Sequence, residues 1–175
     1  METTTSTRPT ITSTALRYGL LTGLASIVFS FLLIVTNQVG NALLSSVGLV
    51  IAIGGIVLAL RDFRDRNGGF MSYGEGVGIG ALLSLVSGLL SSVFSFVYRI
   101  IDPSVAEQAM EQARAKMEAA GTMSDAQIDQ AITMSQKFST GPIGFVVGIL
   151  GAVIIGTLLS LVISAILKNA KPEFD

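Results

Sequence analysis

The sequence predicts an all-α membrane protein with four transmembrane helices and an extracytoplasmic two-helix hairpin between the third and the fourth. Half of the 175 residues are hydrophobic and only 13% are charged, whereas about a quarter are charged in an ordinary soluble domain. The charges are also segregated, and they leave four apolar runs, each long enough to cross a bilayer of about 30 Å, which takes roughly 20 residues. A chain of this length is too short to bury four such helices in a soluble core.

The four predicted spans differ little in composition. They cover residues 15–36, 42–60, 76–101 and 143–167, and the only charged side chains within them are Arg17 and Arg99, each close to an end. The first span is too long, and its Thr/Ser-rich lead-in too poor in basic residues, for a cleaved signal peptide. We therefore predict a polar, disordered tail over residues 1–13 and one four-helix domain over residues 14–175.

The basic residues predict the orientation of the spans. With four spans, one side of the membrane receives Arg8, Arg17, Arg61, Arg64, Arg66, Lys168 and Lys171, and the other receives Arg99, Arg114, Lys116 and Lys137. Basic residues accumulate on the cytoplasmic side of membrane proteins. This distribution predicts a multi-pass protein of the bacterial inner membrane with both termini in the cytoplasm.

The segment between spans three and four, residues 102–140, has the pattern of a helical hairpin. Asp102 is a predicted cap for a helix that starts at Pro103, and Gly121 suits the C-terminus of that helix. Ser124 and Gln127 match the capping box of a second helix. The apolar stripe of the first helix, which is Ala106, Met110, Ala113, Met117 and Ala120, either packs within the hairpin and on the membrane surface or binds a partner through its adaptable methionines.

Small residues recur at every fourth position in three spans. The ridge of span three is Gly76, Gly80, Ser84, Gly88 and Ser92, that of span four is Gly144, Gly148, Ala152, Gly156, Ser160 and Ser164, and span one has Ala15, Gly19 and Gly23. Such ridges allow the close backbone approach that drives helix association in lipid. Two uses remain open, which are packing inside the bundle and an interface with another membrane protein or a second copy. Leucine at Gly148 and Gly156 should disrupt folding or assembly.

The charged elbow between spans two and three, residues 61–75, reads "RDFRDRNGGFMSYGE". Its arginines suit anionic headgroups, Asn67 precedes two glycines in a tight reversal, and Ser72 with Glu75 matches a capping box for span three. A turn alone requires less specificity than this stretch contains. Arg64, Asn67, Ser72 and Glu75 are therefore the candidate functional surface.

The composition argues against most kinds of catalytic site and metal site. Histidine and cysteine are absent, which removes the commonest general base, the commonest metal ligand and thiol catalysis. The interiors of the spans contain no Asp, Glu, Lys, Arg or His, which argues against an ion-coupled transporter. A net charge of −1 gives no sign of nucleic-acid binding. We expect no enzymatic activity, cofactor, metal or nucleic acid. The serines at 84, 87, 91, 92 and 95 give span three a polar face, which back-bonding to the helix explains in part.

Four segments resemble the DUF4199 family, four-span membrane proteins of Bacteroidota with no established activity. They are "ALRYGLLTG", "FRDRNGGFMSYGEG", "IDPSVAEQAMEQARAKMEAAG" and "ISAILKNAKPEFD". The resemblance implies the four-span fold and an inner-membrane location, and it transfers no catalytic residues.

Two functional hypotheses from different classes follow, and a third ranks below them. The first is a non-enzymatic accessory or scaffold subunit of a membrane complex, or a self-associating homo-oligomer, whose contacts are the lipid bilayer and other membrane proteins. The alternative is a carrier or pore for lipids or small molecules that is not coupled to ions and uses the serine face of span three. An enzyme acting on lipid-linked sugars is the third.

Overall fold

The computed structural model of the chain describes residues 9–139 and 141–171, apart from the side chains of Ala42 and Ser45. These residues form six helices, which are α1 (Ile11–Val35), α2 (Ala42–Arg66), α3 (Tyr73–Ile101), α4 (Ser104–Ala120), α5 (Asp125–Ser139) and α6 (Gly141–Leu167). Four of them, α1, α2, α3 and α6, are long and apolar enough to cross a membrane. The predicted all-α class with four candidate spans is confirmed.

The helices extend beyond the predicted spans because polar caps continue them outside the apolar runs. Thr10 and Ser13 form a reciprocal capping box that starts α1 at Ile11, so residues 11–13 belong to this helix and not to a polar tail. Residues 1–8 of the predicted tail lie outside the described part of the chain. The second helix continues past residue 60 to Arg66, where Arg66 forms an ion pair of 2.8 Å with Asp62 one turn earlier.

The third helix is the centre of the bundle. It packs along α1 on one side and along α6 on the other, while α2 contacts all three. Because α1 has no extended contact with α6 among the described residues, each of these two helices packs along α3 on one side and most of its apolar side chains face outward. Leucine, valine and isoleucine side chains are exposed on these helices, as expected for a protein surface that contacts lipid.

The buried core lies at one end of the bundle, which we name the elbow end because it adjoins residues 61–75. Its members are Ala15, Ile56, Ala59, Leu60, Phe63, Met71, Ile79 and Leu83. At the opposite end, which we name the hairpin end, α2 separates from the other spans. Leu43, Val47, Leu49 and Val50 of α2 are exposed there, whereas toward the elbow end a Cβ built on Gly55 would collide with the Thr22 side chain of α1.

The segment between α3 and α6 is the predicted helical hairpin, with one shift at its start. The first helical residue is Ser104 and Pro103 is the cap position, so the predicted start at Pro103 was one residue early. The Asp102 carboxylate still serves the helix, since it accepts hydrogen bonds from the Ser104 N–H at 3.1 Å and the Ser104 hydroxyl at 2.6 Å. Gly121 ends α4 in the left-handed conformation, with φ 62°.

Ion pairs hold the two helices of the hairpin together. Arg114 bonds to Glu118 on its own helix at 3.0 Å and to Asp129 on α5 at 2.7 Å. The hydrogen bond to Glu118 and the charge of Asp129 raise the pKa of the Arg114 guanidinium. The Ser124 N–H donates to the Gln127 side chain at 2.9 Å, in agreement with the predicted capping box.

The hairpin docks on the adjoining ends of the spans. The Lys116 ammonium donates to the Gly40 carbonyl at 2.6 Å, which places α4 on the loop between α1 and α2. The α4 stripe of Ala106, Met110, Ala113 and Met117 is half-buried there. Ile128 of α5 is fully buried, and α5 contacts α6.

Candidate functional site

The small-residue ridges of α3 and α6 face each other in antiparallel register. A Cβ added at Gly76 would lie 2.5 Å from the Ser164 Oγ, one at Gly88 would lie 2.7 Å from the Ala152 Cβ, and one at Gly148 would lie 2.9 Å from the Ser92 Oγ. Two further pairs along the same line, Gly80 with Ser160 and Gly156 with Ser84, are closer still. Each pair therefore contains one glycine, and each step of four residues along α3 is matched by a step of four back along α6.

This pairing accounts for ridge residues from Gly76 to Ser92 and from Gly148 to Ser164 as contacts within the chain. Gly144 lies outside the pairing with α3, since a Cβ there would collide with the Ser139 backbone at the end of α5. The ridge of α1 also packs inward, because a Cβ at Gly19 would lie 2.8 Å from the Val86 Cβ and one at Gly23 would lie 3.0 Å from the Leu90 side chain. A partner must use another surface than these.

A cavity of about 510 Å³ lies in the hairpin half of the bundle, between α3 and α6. Residues of α1 and α2 complete its wall, and Phe138 and Ser139 at the end of α5 form its roof. Its size is within the range of about 300–1,000 Å³ that is typical of ligand sites. On α2, Ala52 lines the cavity, and the part of α2 nearer the hairpin end is mostly exposed.

Hydroxyl groups line one wall of the cavity and apolar side chains the other. The hydroxyls are those of Thr22, Ser26, Ser84, Ser87, Ser91, Ser92, Ser95 and Ser139. All five serines that the sequence places on the polar face of α3 are among them. Ser87 donates back to the Ser84 carbonyl at 3.3 Å, as expected for a helix serine. Phe96 and Phe145, whose ring centroids are 6.4 Å apart, lie on the apolar side.

The cavity ends halfway along the bundle. Its lining residues on α3 begin at Ser84 and those on α6 begin at Leu159, and both continue only toward the hairpin end. Below this level the pairs Gly80–Ser160 and Gly76–Ser164 close the α3–α6 interface. On the lateral side, the lining residues Val147 and Ile155 are 43% and 54% exposed, although both lie within the membrane-spanning helix α6. The cavity is therefore open sideways at span depth.

One cationic side chain borders the cavity. Arg99 lies in the last turn of α3, beside Ser139, whose carbonyl accepts a hydrogen bond from its guanidinium. Among the described residues no carboxylate forms an ion pair with Arg99. Arg99 also lines a second, smaller cavity of about 220 Å³ between α1, α3 and α4. The sequence identified Arg99 only as a span boundary, because its position next to a cavity depends on tertiary packing.

The four candidate residues of the elbow lie together and stabilise it as a turn. The Ser72 N–H donates to Glu75 Oε2 at 2.7 Å, and the Ser72 Oγ accepts from the Glu75 N–H at 3.3 Å, which is the expected capping box. The Asn67 side chain donates to the Phe70 carbonyl at 3.0 Å. Arg64 donates to the Leu167 carbonyl, at 3.4 Å, at the end of α6. Gly68 and Gly69 supply the positive φ angles, 72° and 86°, that the reversal requires.

The elbow also binds the segment that follows α6. The Met71 N–H donates to the Asn169 carbonyl at 2.8 Å, and the Asn169 N–H donates to the Met71 carbonyl at 2.9 Å. The Asn169 side chain donates to the Gly69 carbonyl at 2.9 Å, and the Lys171 ammonium lies 5.8 Å from the centre of the Phe70 ring. Sequence reasoning missed Met71 and Asn169, since an isolated bridge between residues about 100 positions apart has no local signal. This docking explains much of the specificity of the elbow.

Neither place brings together groups for covalent chemistry. Among the described residues no three carboxylates come close enough to hold a metal ion, and the serines of the cavity have no histidine to act as a base, since the sequence contains none. The cavity supplies hydroxyl donors, apolar contact area and one guanidinium. Such groups can bind a ligand.

One comparison with known proteins gives a match. The family model described as "Protein of unknown function (DUF4199)" matches residues 17–169, which includes all six helices except the first turns of α1. Comparisons with curated proteins and with solved structures give no match.

Proposed function

The chain belongs to the DUF4199 family, whose model describes proteins of unknown function, and from that premise we propose that it is a non-enzymatic multi-pass membrane protein that binds a lipid or small molecule inside its bundle. The observation that supports this proposal is the cavity of about 510 Å³ between α3 and α6. The geometry thus favours the second of the two sequence-based hypotheses.

The cavity has the properties of a binding site more than those of a packing gap. In a membrane bundle, small residues ordinarily bring helices together, and the ridges of α3 and α6 do so from Gly76 to Ser92. Toward the hairpin end α3 also presents Ser91 and Ser95 beside its ridge, and the hydroxyls of Ser91, Ser92 and Ser95 form no hydrogen bond within the described residues. A hydroxyl in an apolar environment gains free energy from a hydrogen-bond partner, which a bound ligand would supply.

The extent of the cavity supports binding and release from one side, without a continuous pore. The elbow half is filled by the buried core and by the Gly80–Ser160 and Gly76–Ser164 contacts. The lateral opening at Val147 and Ile155 suits a ligand that arrives from the bilayer. Transport across the membrane would require the elbow half to separate.

Native mass spectrometry of the purified protein tests this proposal. We expect a molecule to remain bound to the wild-type chain after gentle detergent extraction. Ser91→Leu should displace it, since leucine would occupy part of the cavity. Ala165→Leu is the matched control because Ala165 is exposed on α6 and does not line the cavity. An empty wild-type protein, or equal occupancy in both variants, would contradict the proposal.

The accessory or self-associating subunit is the second candidate function. It is favoured by two glycines of α2, Gly48 and Gly54, at which an added Cβ would meet no atom within 4 Å, so that each leaves the backbone open to another helix. Its test is the mass of the particle in mild detergent. A dimer or a stoichiometric complex that Gly54→Leu dissociates would support it, and a monomer in both cases would reject it.

The proposed location is the bacterial inner membrane, with both termini in the cytoplasm and the hairpin on the outer side. The support is the excess of basic residues at the elbow end, where Arg61, Arg64, Arg66, Lys168 and Lys171 lie in or beside the elbow and the segment after α6. In this orientation the cavity occupies the outer half of the bilayer.

A further inference from the structure

Arg99 pairs with no carboxylate among the described residues, and it lies at the end of the cavity next to the hairpin. It lies in the last turn of α3, and its described contact is with the Ser139 carbonyl. A guanidinium has five N–H donors, so most of its hydrogen-bonding capacity is unused by the described residues. Arg99 is exposed near the end of its span, a position from which an arginine side chain reaches the headgroup region and its anions.

The cavity next to Arg99 has its charge at one end. Arg99 and Ser139 lie at the hairpin end, while the hydroxyls of Ser84 and Ser87 and the apolar side chains of Ile155 and Leu159 lie toward the middle of the bundle. A molecule that fills the space would contact a cation at one end, and along its length it would contact apolar side chains on α6 and hydroxyls on α3. This arrangement matches an amphiphile that is oriented like a lipid of the surrounding leaflet.

Building on the proposed function, we propose that the ligand is a single-chain amphiphile with an anionic headgroup, a phosphate or a carboxylate, which Arg99 binds. Planar guanidinium groups pair with both oxyanions through two parallel hydrogen bonds. The hydrocarbon chain would lie between α3 and α6, against Phe96, Phe145 and Ile155.

The volume of the cavity supports one chain. A space of about 510 Å³ is in the middle of the range of sites that enclose drug-sized molecules, which is comparable to one fatty chain. A lipid with two chains would have to leave one of them outside, in the lateral opening.

Competition between defined lipids tests this assignment. The purified protein is titrated with an equimolar mixture of oleoyl lysophosphatidic acid and oleoyl lysophosphatidylcholine, and the bound adducts are counted by native mass spectrometry. These probes share a chain and differ in the net charge of the headgroup. We expect the wild type to bind the phosphate monoester about tenfold more tightly, the ratio that a charge-assisted hydrogen bond typically gives. Oleate in place of the lysophosphatidic acid tests the carboxylate.

Arg99→Gln should abolish the preference for the anionic lipid while retaining binding of the chain, and Arg99→Lys, which keeps the charge, should retain part of the preference. The matched control is Arg17→Gln, since Arg17 is exposed near the elbow end and lies 5.7 Å from the Tyr18 ring, away from the cavity. Persistence of the full preference in Arg99→Gln, or its equal loss in Arg17→Gln, would overturn the assignment.

Further outcomes of the experiment distinguish a failure of this inference from a failure of the proposed function. If Ser91→Leu prevents both lipids from binding but the wild type prefers neither of them, the cavity binds a chain and the anion assignment is wrong. If neither lipid binds the wild type, the anionic assignment and the binding of such amphiphiles fail together. Inorganic phosphate at matched concentration should not displace the lysophosphatidic acid, and displacement would identify a soluble anion as the ligand and overturn the amphiphile.

Discussion

Met71 and Asn169 exchange both of their backbone hydrogen bonds, at 2.8 and 2.9 Å, although more than half of the chain separates them in sequence. The bridge joins the turn between α2 and α3 to the segment that follows α6. Met71 is 1% exposed, so that its backbone groups have no water to replace a lost partner. The contact therefore fixes the end of α6 relative to α3 at the elbow end of the bundle.

Replacement of Asn169 should weaken this contact in two steps. Asn169→Ala removes the side-chain bond to the Gly69 carbonyl and should cost about 0.5–1.5 kcal/mol of unfolding free energy, as is typical of one hydrogen bond. Asn169→Pro also removes the N–H that the buried Met71 carbonyl accepts, and should cost about 1–3 kcal/mol more. Thermal unfolding in detergent measures both, with the exposed Lys168→Ala as the control.

Hydrogen exchange gives an independent measurement of the same bridge. The Met71 amide should be protected in the wild type and should exchange faster in Asn169→Pro, because proline distorts the segment that accepts its hydrogen bond. Equal exchange of the Met71 amide in the two proteins would show that the bridge is not formed in the membrane protein.

Leucine at the two glycines of α6 should have unequal effects, although the sequence alone predicts disruption at both. At Gly156 the added side chain collides with Ser84 on the buried face of α3, and overpacking of a core typically costs about 1–3 kcal/mol or more. At Gly148, which is exposed, it meets only the Ser92 hydroxyl at 2.9 Å and can turn into the cavity. Expression and melting temperature should fall clearly in Gly156→Leu and little in Gly148→Leu.

The Gly54→Leu protein is the reference for this pair, since a Cβ there meets no atom within 4 Å. Its melting temperature reports what an added leucine does without a collision. If the melting temperature of Gly156→Leu equals that of Gly54→Leu, the antiparallel contact of α3 and α6 is not as close as described.

Glu75→Ala should reduce stability and leave the cavity unaffected. The Glu75 carboxylate accepts from both the N–H and the hydroxyl of Ser72, at 2.7 and 2.8 Å, and loss of a helix cap typically costs about 1 kcal/mol. Glu75→Gln should retain most of this stability, because glutamine also forms capping boxes. The melting temperature measures the cap and ligand occupancy measures the cavity. A change of occupancy in Glu75→Ala without a change in melting would instead give the elbow a direct functional role.

Single cysteines should reveal the orientation directly, because the chain contains no cysteine of its own. Gln38→Cys and Glu111→Cys introduce thiols at the hairpin end, while Asp65→Cys and Lys171→Cys introduce them at the elbow end, and all four positions are exposed. A membrane-impermeant maleimide should label only the first two in intact cells, after permeabilisation of the outer membrane. Labelling of Asp65→Cys instead would invert the proposed topology.

Local features of the fold were predictable because their causes are local. The four spans follow from apolar length, and the caps at Asp102, Ser72 and Ser124 follow from side chains that reach a backbone N–H two or three residues away. The exact starts of α1 and α4 were not predictable. Thr10 and Ser13 allow more than one capping position for α1, and Pro103 does so for α4. The family resemblance agrees with the match over residues 17–169.

Features that depend on the arrangement of the helices could not be predicted from the sequence. Four-residue spacing identifies Gly80 and Ser160 as ridge residues. It does not predict that they face each other, because another helix could pack against either ridge. The cavity depends on the separation of α2 near Gly48, and no residue pattern encodes that. The serine face of α3 was visible in the sequence, while the role of Arg99 beside it required the structure.

The alternation of glycines along α3 and α6 admits one register only. A slide of one ridge step, about 6 Å at 1.5 Å per residue, would leave Ser84 opposite Ala152 with no glycine between them, and a slide in the other direction would place Ser84 against Ser160. Piston-like translation of these two helices would therefore remove the matched glycine contacts. Widening of the lateral opening would then come from the hairpin half of α2, since Ile56, Ala59 and Leu60 fix its other half in the buried core.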